Sequence, residues 1–139
     1  MPFCLDASVV LNWLLPQRQT QAVQEFIVDC LRKGERLVAP PLLFSESTSV
    51  LRRYVHGGVL LHDEAAAALR DLLALPLATV HDPLVYLRAL EFARVLGQAK
   101  AYDVQYVAVA DVQRATLVTA DSGMHHAALR LGISAKLLA

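Results

Sequence analysis

Short apolar runs alternate with longer amphipathic segments along the chain, and each apolar run has the length of a buried strand. Four runs predict strands at residues 3–5, 37–39, 78–80 and 116–120, and a weaker run at 135–138 predicts a last strand at a sheet edge. The first and fourth runs end in carboxylates, Asp6 and Asp121. An acid at the end of a buried strand costs free energy unless it is paired or needed for function.

The segments between the strands place apolar side chains at helical spacing. Ser8 is a plausible N-cap for the first helix, and Asp82-Pro83 is a strong start signal for a later one. The pattern predicts helices at residues 9–15, 23–31, 42–55, 62–75, 83–96, from about 103 onwards, and 122–131. Strands that alternate with helices predict an α/β domain with a parallel sheet and helices on both faces. We expect a single domain over residues 1–139.

The composition narrows the functional classes. Hydrophobic residues make up 55% and charged residues 19%, which argues against disorder and leaves apolar surface that a partner could cover. The 13 basic and 13 acidic residues cancel, so nothing in the total charge indicates nucleic-acid binding. No signal peptide or membrane span is predicted, and Cys4 and Cys30 are predicted to be buried thiols. These features favour a soluble protein of the cytoplasm.

Two pairs of acids are predicted to meet at one edge of the sheet. Asp6 and Asp121 follow strands, and Glu46 and Asp103 lie near the starts of helices that could begin at the same edge. In an open parallel sheet, ligands bind beyond the carboxyl ends of the strands. Four clustered carboxylates repel one another unless a cation compensates them, and oxygen ligands suit Mg²⁺ or Mn²⁺. Such a site typically serves phosphate chemistry.

Each acid also has an ordinary structural explanation. Asp121 could cap the helix that follows it, and Asp6 could act as the N-cap in place of Ser8. Asp103 could be an acid in the first turn of a helix, where the helix dipole favours a negative charge. Glu46 could pair with Arg52 or Arg53, although the spacing to Arg53 is out of register for a direct i,i+4 pair. Ser8, Thr119 and Ser122 are either caps or groups that orient the acids and metal-bound water. The aromatic residues, Tyr106 among them, are predicted to be packing residues.

Four motifs, in order and at compatible spacing, resemble those of a PIN domain, and specifically of a bacterial or archaeal VapC-type toxin. The resemblance covers nearly the whole chain. It rests on Leu5-Asp6-Ala7-Ser8-Val9-Val10 with Trp13, on Pro40-Pro41-Leu42-Leu43-Phe44-Ser45-Glu46 followed by Val50-Leu51-Arg52-Arg53, on Ala101-Tyr102-Asp103-Val104-Gln105-Tyr106-Val107-Ala108, and on Leu117-Val118-Thr119-Ala120-Asp121. The fit is looser after Asp121, where Ser122-Gly123-Met124 replaces the more basic residues of many relatives.

The resemblance implies a three-layer α/β/α sandwich with a five-stranded, mostly parallel sheet. It implies that Asp6, Glu46, Asp103 and Asp121 form a catalytic Mg²⁺ or Mn²⁺ site in an endoribonuclease. It also implies a homodimer that a cognate antitoxin protein inhibits. Arg18, Arg52, Arg53 and Lys100 are candidates by position for contacts to RNA, although each is more typical of solvated surface charge.

Two other classes of α/β protein use an acid after the first strand. A phosphatase with a nucleophilic aspartate usually has a second acid two residues later, where this chain has Ser8. A receiver-like signalling domain needs a late lysine, and Lys136 is the only lysine near the end of the chain. Both alternatives bind Mg²⁺ without nuclease activity, so they differ from the first hypothesis in a measurable way.

Overall fold

Alternating strands and helices form an α/β fold in the computed structural model, which describes residues 2–138. The strands are β1 (Phe3–Leu5), β2 (Leu37–Ala39), β3 (Leu77–Thr79), β4 (Thr116–Thr119) and β5 (Ala135–Leu137). The helices are α1 (Ala7–Leu14), α2 (Gln21–Lys33), α3 (Leu42–His56), α4 (His62–Ala74), α5 (Pro83–Leu96), α6 (Val104–Gln113) and α7 (Ser122–Arg130). A 3₁₀ turn, Pro16–Arg18, joins α1 to α2.

The five strands form one sheet in the order β3-β2-β1-β4-β5, with β1 at its centre. All four strand pairs are parallel, and β1 is hydrogen-bonded to both β2 and β4. The predicted five-stranded sheet is therefore confirmed, and it is entirely parallel. The chain leaves the centre on one side through β2 and β3, and returns to the other side at β4. The change of direction lies between β1 and β4, where such sheets bind ligands.

Helices cover both faces of the sheet, as predicted. All three residues of β2 are buried, and successive side chains of a strand point to opposite faces, so both faces must be covered. Helix α6 lies against β1, β2 and β4, with α5 packed on α6. Helix α1 contacts β4 and packs against α2, α3 and α4. A smaller apolar cluster between α1, α3 and α4 includes Leu11, Leu51 and Ala68.

The helix ends follow the predicted signals in most places. Asp82 Oδ1 accepts a hydrogen bond from the backbone N–H of Leu84 at 2.9 Å and caps α5, as Asp82-Pro83 predicted. Gly34 and Gly97 end α2 and α5 in the left-handed region, with φ of +66° and +69°. That conformation favours glycine because it has no Cβ.

The predicted cap of the first helix is wrong. Asp6, and not Ser8, is the N-cap of α1, which begins at Ala7. A carboxylate has two oxygens available, so Asp6 can accept from the helix and from side chains at once, and Ser8 lies inside the first turn. Two strand boundaries also differ: β3 begins one residue earlier than predicted, and Ala120 separates β4 from Asp121.

Neither disulfides nor membrane-spanning helices occur in the part of the chain that the structure describes. Cys4 and Cys30 are both buried, free thiols, as predicted. Among residues 2–138, every helix is too short or too polar to cross a membrane.

Candidate metal centre

Asp6 lies at the centre of the carboxyl edge of the sheet, directly after β1, and only 3% of its surface is exposed. Its Oδ1 accepts from the Ser8 hydroxyl at 2.6 Å and from the backbone N–H of Val9 at 3.2 Å. Its Oδ2 accepts from the Thr119 hydroxyl at 2.5 Å. Burial raises the pKa of Asp6, the three hydrogen bonds lower it, and the charge of Asp121 raises it again. The net shift of the Asp6 pKa is upward, so keeping this buried carboxylate charged costs free energy of folding.

Two hydroxyl groups connect Asp6 to the end of β4. Thr119 is fully buried, donates to Asp6 and accepts from the backbone N–H of Asp121 at 3.0 Å. Ser8 donates to Asp6 and accepts from the backbone N–H of Ala120 at 2.9 Å. Each hydroxyl therefore bridges the acid on β1 to the backbone that carries Asp121. The predicted roles of Ser8 and Thr119 as groups that orient the acids agree with these contacts.

Asp121 lies beyond β4 as the N-cap of α7. Its Oδ1 accepts from the backbone N–H groups of Gly123 at 2.8 Å and Met124 at 3.2 Å. The capping explanation is thus correct for this residue, but it uses only Oδ1. The residue is exposed, which leaves Oδ2 available to a ligand.

Glu46 lies on α3 and forms no ion pair with Arg52 or Arg53 among the described residues, so that alternative for Glu46 is wrong. Its Oε1 is buried without a hydrogen-bond donor in the same part of the chain. Burial raises the pKa of Glu46, the Tyr106 phenol lowers it, and the charges of Asp103 and Asp6 raise it again, with a net upward direction. The buried Glu46 oxygen therefore has no partner among the described residues, and a bound ligand could supply one.

Tyr106 is a packing residue, as predicted, but its phenol also belongs to the site. The side chain is buried, and its pKa is raised well above the ordinary value by burial and by the charge of Glu46. The hydroxyl completes no hydrogen bond of ordinary geometry within residues 2–138. Because the raised pKa keeps the phenol neutral, its O–H can offer a proton towards the Glu46 carboxylate. Tyr106 lies three residues after Asp103, so both side chains are on one face of the helix. This spacing is the sequence signal that Tyr106 belongs to the region of the acids.

Asp103 and Asp121 line one cavity of about 260 Å³ at the edge of the sheet. Asp103 immediately precedes α6, is exposed, and makes no capping hydrogen bond with its side chain. The cavity is also lined by Gln98, Gly123 and Met124. Sequence reasoning did not identify Gln98, because it lies in a loop outside the four motifs and carries no charge.

The structure brings the four predicted acids into one region without forming a closed ligand cage. Asp121 acts electrostatically on Asp6, and Asp103 and Asp6 act on Glu46. Within residues 2–138, no three Asp, Glu, His or Cys side chains are close enough together to hold one metal ion. Asp6 is buried and Glu46 is half-buried, whereas Asp103 and Asp121 are exposed.

The chemistry of these residues fits a hard divalent cation. All four offer carboxylate oxygens, the ligands that Mg²⁺ and Mn²⁺ prefer. Within residues 2–138, Glu46 Oε1 is buried without a donor, and the pKa values of both Glu46 and Asp6 are raised. A cation would supply the missing partner for Glu46 and would favour the charged form of both acids.

The four basic residues named as candidates for contacts to RNA differ in their surroundings. Arg18 donates to the Tyr54 hydroxyl at 3.1 Å, which is a contact within the fold. Arg52, Arg53 and Lys100 are exposed and form no ion pair within the described part of the chain. Arg52 lines a shallow groove on α3 with Ser45 and Ser49, on the helix that carries Glu46.

Comparison with known families gives one match. The model of the PIN domain matches residues 3–129, which include all four acids and all four motifs. No curated protein is similar enough to the chain to count as a match.

Several solved structures share the fold. VapBC2 from Rickettsia felis, bound to a DNA fragment from its promoter, is 12% identical with a TM-score of 0.73, and the similarity covers 100% of both chains. VapBC-1 from nontypeable Haemophilus influenzae is 15% identical with a TM-score of 0.71, over 99% of this chain and 98% of the other. FitAcB from Neisseria gonorrhoeae is 18% identical with a TM-score of 0.58, over 96% and 95%. At these identities the similarity establishes the fold.

Proposed function

The chain belongs to the PIN domain family, a family of nucleases, and from this premise we propose that it is a metal-dependent endoribonuclease. The observation that supports this function best is the convergence of Asp6, Glu46, Asp103 and Asp121 on the edge of the sheet between β1 and β4. That edge is where a parallel sheet of this order binds its ligands. RNA is the substrate we propose, in the cytoplasm, with Mg²⁺ or Mn²⁺ as the cation.

In this proposal the four acids hold the cation, with Asp6 and Asp103 as direct or near-direct ligands. A bound Mg²⁺ or Mn²⁺ would activate a water molecule and stabilise charge on the phosphodiester. Thr119 and Ser8 hold the Asp6 carboxylate in one orientation, and the Tyr106 phenol lies close enough to Glu46 to lower the pKa of that acid. Asp103 and Asp121 line the open cavity, where a phosphodiester can approach from solvent.

Asp103 and Asp121 are also the acids that must move. They are exposed, whereas Asp6 is buried and hydrogen-bonded, and Glu46 is half-buried with its Oε1 shielded from solvent. We propose that rotation of these two side chains towards Asp6 and Glu46 completes the ligand set when a cation binds.

The proposed biological role is that of the toxin of a toxin–antitoxin pair. The motif resemblance to VapC-type toxins supports it, and so do the VapBC and FitAcB structures that share the fold. A small antitoxin protein would then inhibit the nuclease, and a homodimer is the expected assembly. Co-expression with the short open reading frame next to this gene tests the partner, since a cognate antitoxin would co-purify and suppress RNA cleavage.

The structure disfavours the two other classes. A phosphatase needs Asp6 as an open nucleophile, but both of its oxygens accept hydrogen bonds and the residue is buried. A receiver-like domain needs a lysine beside the acids, but Lys136 lies on β5 with its ammonium 5.2 Å from the centre of the Phe26 ring.

Cleavage of RNA by the purified protein tests the proposed activity. We expect Mg²⁺ or Mn²⁺ to stimulate cleavage, EDTA to stop it, and Asp6→Asn or Asp103→Asn to lower the rate by roughly 100-fold or more, since each removes a charged ligand. Asp82→Asn is the matched control, because Asp82 is also a helix cap but lies outside the acid cluster. Cleavage that survives both site substitutions at the wild-type rate would overturn the proposal.

A further inference from the structure

The cavity beside the two exposed acids also contains a neutral polar group that the proposed metal site does not use. Asp103 and Asp121 line this cavity of about 260 Å³, and so does Gln98. The Gln98 side chain is exposed, and its amide has no hydrogen-bond partner among residues 2–138. An amide offers a donor and an acceptor side by side without a charge. It therefore complements a neutral group that presents an acceptor and a donor in return.

The remaining wall of the cavity is apolar. Val104, Met124 and Ala127 line it together with Gly123. Met124 is half-buried, and its flexible thioether makes favourable contacts with aromatic rings. None of the described residues that line the cavity is basic. The cavity therefore combines an acidic side, an apolar wall and one free amide.

The end of α5 fixes the backbone position of Gln98. Gly97 ends the helix in the left-handed region, and its backbone N–H donates to the carbonyl oxygen of Arg94 at 3.1 Å. The backbone N–H of Gln98 then donates to the carbonyl oxygen of Ala93 at 2.9 Å. Ala93 belongs to the main core, and α5 packs on α6, which begins directly after Asp103. The packing of two helices therefore sets the position of Gln98 relative to the acid before any ligand binds.

A nucleobase fits the cavity better than a phosphate or an apolar ligand. The two carboxylates repel a phosphate that enters without a cation, and no basic side chain among the described lining residues attracts it. An apolar ligand would leave the amide without a partner. A base is neutral, has aromatic faces for Met124, and carries donors and acceptors along its edge that Gln side chains read in nucleic-acid complexes. The cavity lies just below the range of about 300–1,000 Å³ for whole small molecules, so it suits one base.

From these observations we infer that Gln98 and Met124 form a subsite for one base of single-stranded RNA beside the acids, and that Gln98 selects this base. The inference rests on the proposed function, because it places the base next to the phosphodiester that the acids would cleave. Met124 contacts the face of the base and contributes affinity, since every base has an aromatic face. Gln98 contacts the edge, which differs between bases, and so contributes selection.

Cleavage of a random RNA pool tests the role of Gln98. In the wild type we expect one position next to the cut to be biased in base composition. Gln98→Met keeps the length of the side chain but removes its donor and acceptor, so it should reduce the ratio between the best and the worst base at that position by about tenfold. Gln17→Met is the matched control, because Gln17 is exposed on the 3₁₀ turn and does not line the cavity. An unbiased wild type, or an unchanged bias in Gln98→Met, would overturn the inference.

Binding of RNA tests the subsite without any cleavage. In the Asp6→Asn variant with Mg²⁺, we expect short labelled homopolymers of adenylate, cytidylate and uridylate to bind with different dissociation constants. A homopolymer places the same base in the subsite in every register, so the register need not be known. Addition of Gln98→Met should bring the three dissociation constants close together, whereas addition of Gln17→Met should leave them apart. Equal weakening for all three homopolymers would show that Gln98 gives affinity without selection, which contradicts the inference.

The same binding assay tests Met124. Met124→Ala should weaken the binding of all three homopolymers by about threefold and leave their order unchanged, since contacts between sulfur and an aromatic ring do not distinguish the bases. Leu129→Ala is the control on the same helix, because Leu129 is 52% exposed and does not line the cavity. Unchanged binding by Met124→Ala would remove Met124 from the subsite and refute that part of the inference.

The two kinds of measurement separate this inference from the proposed function. Metal-dependent cleavage whose base preference does not depend on Gln98 overturns the subsite and leaves the nuclease proposal intact. Selective binding that depends on Gln98, in a protein that does not cleave RNA, overturns the nuclease proposal and leaves the subsite intact. Far-ultraviolet circular dichroism confirms that each variant is folded.

Discussion

Asp6 has two roles, one in the fold and one in the proposed site. Its carboxylate caps α1 and accepts two hydroxyl hydrogen bonds, yet its burial raises its pKa. The folded protein therefore binds the Asp6 proton more tightly than the unfolded chain does. The contribution of Asp6 to the free energy of unfolding is most favourable at low pH, and it is lost as the pH rises through the folded-state pKa.

Replacement of Asp6 should therefore stabilise the protein when no metal is present. In EDTA at pH 8 we expect Asp6→Asn to raise the midpoint of thermal unfolding, because the amide carries no charge that burial disfavours. The gain should shrink as the pH falls, because protonation then removes the charge of the wild-type carboxyl as well. Asp29→Asn is the control with the opposite sign, because Lys33 and Arg32 lower the pKa of that exposed acid. A loss of stability in Asp6→Asn at pH 8 would contradict the argument.

Asp121 combines a helix cap with a proposed ligand, and two substitutions separate these roles. Asp121→Ala removes the acceptor for Gly123 and Met124 and should cost about 1 kcal/mol of unfolding free energy. Asp121→Asn keeps the cap and should leave stability nearly unchanged, while both variants lose RNA cleavage because neither carries the charge. Asp82→Ala should lose stability alone. Denaturant unfolding measures the loss of the cap and the cleavage rate measures the loss of the proposed ligand, so the two measurements together separate the two roles of Asp121.

At the scale of elements, the junction between β1 and β4 decides the geometry of the site. Thr119 and Ser8 tie the acid after β1 to the backbone after β4 through hydroxyl groups. Strands β1 and β4 are neighbours in the sheet, but Ser8 and Thr119 are 111 residues apart in the chain. The hydrogen bonds that join the two strand ends therefore form only in the folded state.

Removal of the Thr119 hydroxyl should loosen this junction. Thr119→Val keeps the shape of the side chain but leaves the Asp121 backbone N–H and one Asp6 oxygen without a partner, at a cost of about 1–3 kcal/mol. Thr116→Val is the control on the same strand, since within the described residues the side-chain partner of that hydroxyl is only the exposed Ser134 hydroxyl, at 3.1 Å. Chemical denaturation of both variants measures the difference, and equal stabilities would show that the junction is not a source of stability.

At the scale of the whole molecule, the fold gathers like charges and relies on a ligand to balance them. The 13 acidic and 13 basic residues balance globally, yet within residues 2–138 none of the four acids at the carboxyl edge of the sheet forms an ion pair with a basic side chain. A cation that binds only the folded state stabilises it in proportion to its concentration relative to the dissociation constant.

Thermal unfolding in the presence of metal measures this coupling. At about 100 times the dissociation constant, Mn²⁺ or Mg²⁺ should add about 2.7 kcal/mol to the free energy of unfolding. The double variant Asp6→Asn/Asp103→Asn should lose this gain, whereas Asp29→Asn should keep it. An equal gain in the wild type and in the double variant would place the cation elsewhere.

Periodicity along the chain was enough to predict the fold class, the order of strands and helices, and most helix ends. The reason is that local patterns, such as the Asp82-Pro83 start signal or the buried run of β2, act over a few residues. The start of α1 was missed because Asp6 and Ser8 are both good caps by residue type. Only the neighbouring strand β4, which supplies Thr119 and the Ala120 N–H, decides which of them takes the position.

By itself the sequence determined which acids the protein carries and in which order they follow strands and helices, and the four motifs were sufficient to identify the family. Tertiary structure decided the state of each acid: Asp6 is buried with both oxygens hydrogen-bonded, Glu46 lies beside Tyr106 with an oxygen that lacks a donor, and Asp103 and Asp121 face a shared cavity. The physical reason is that burial and the strand order β3-β2-β1-β4-β5 arise from contacts between residues far apart in the chain. No local pattern contains that information.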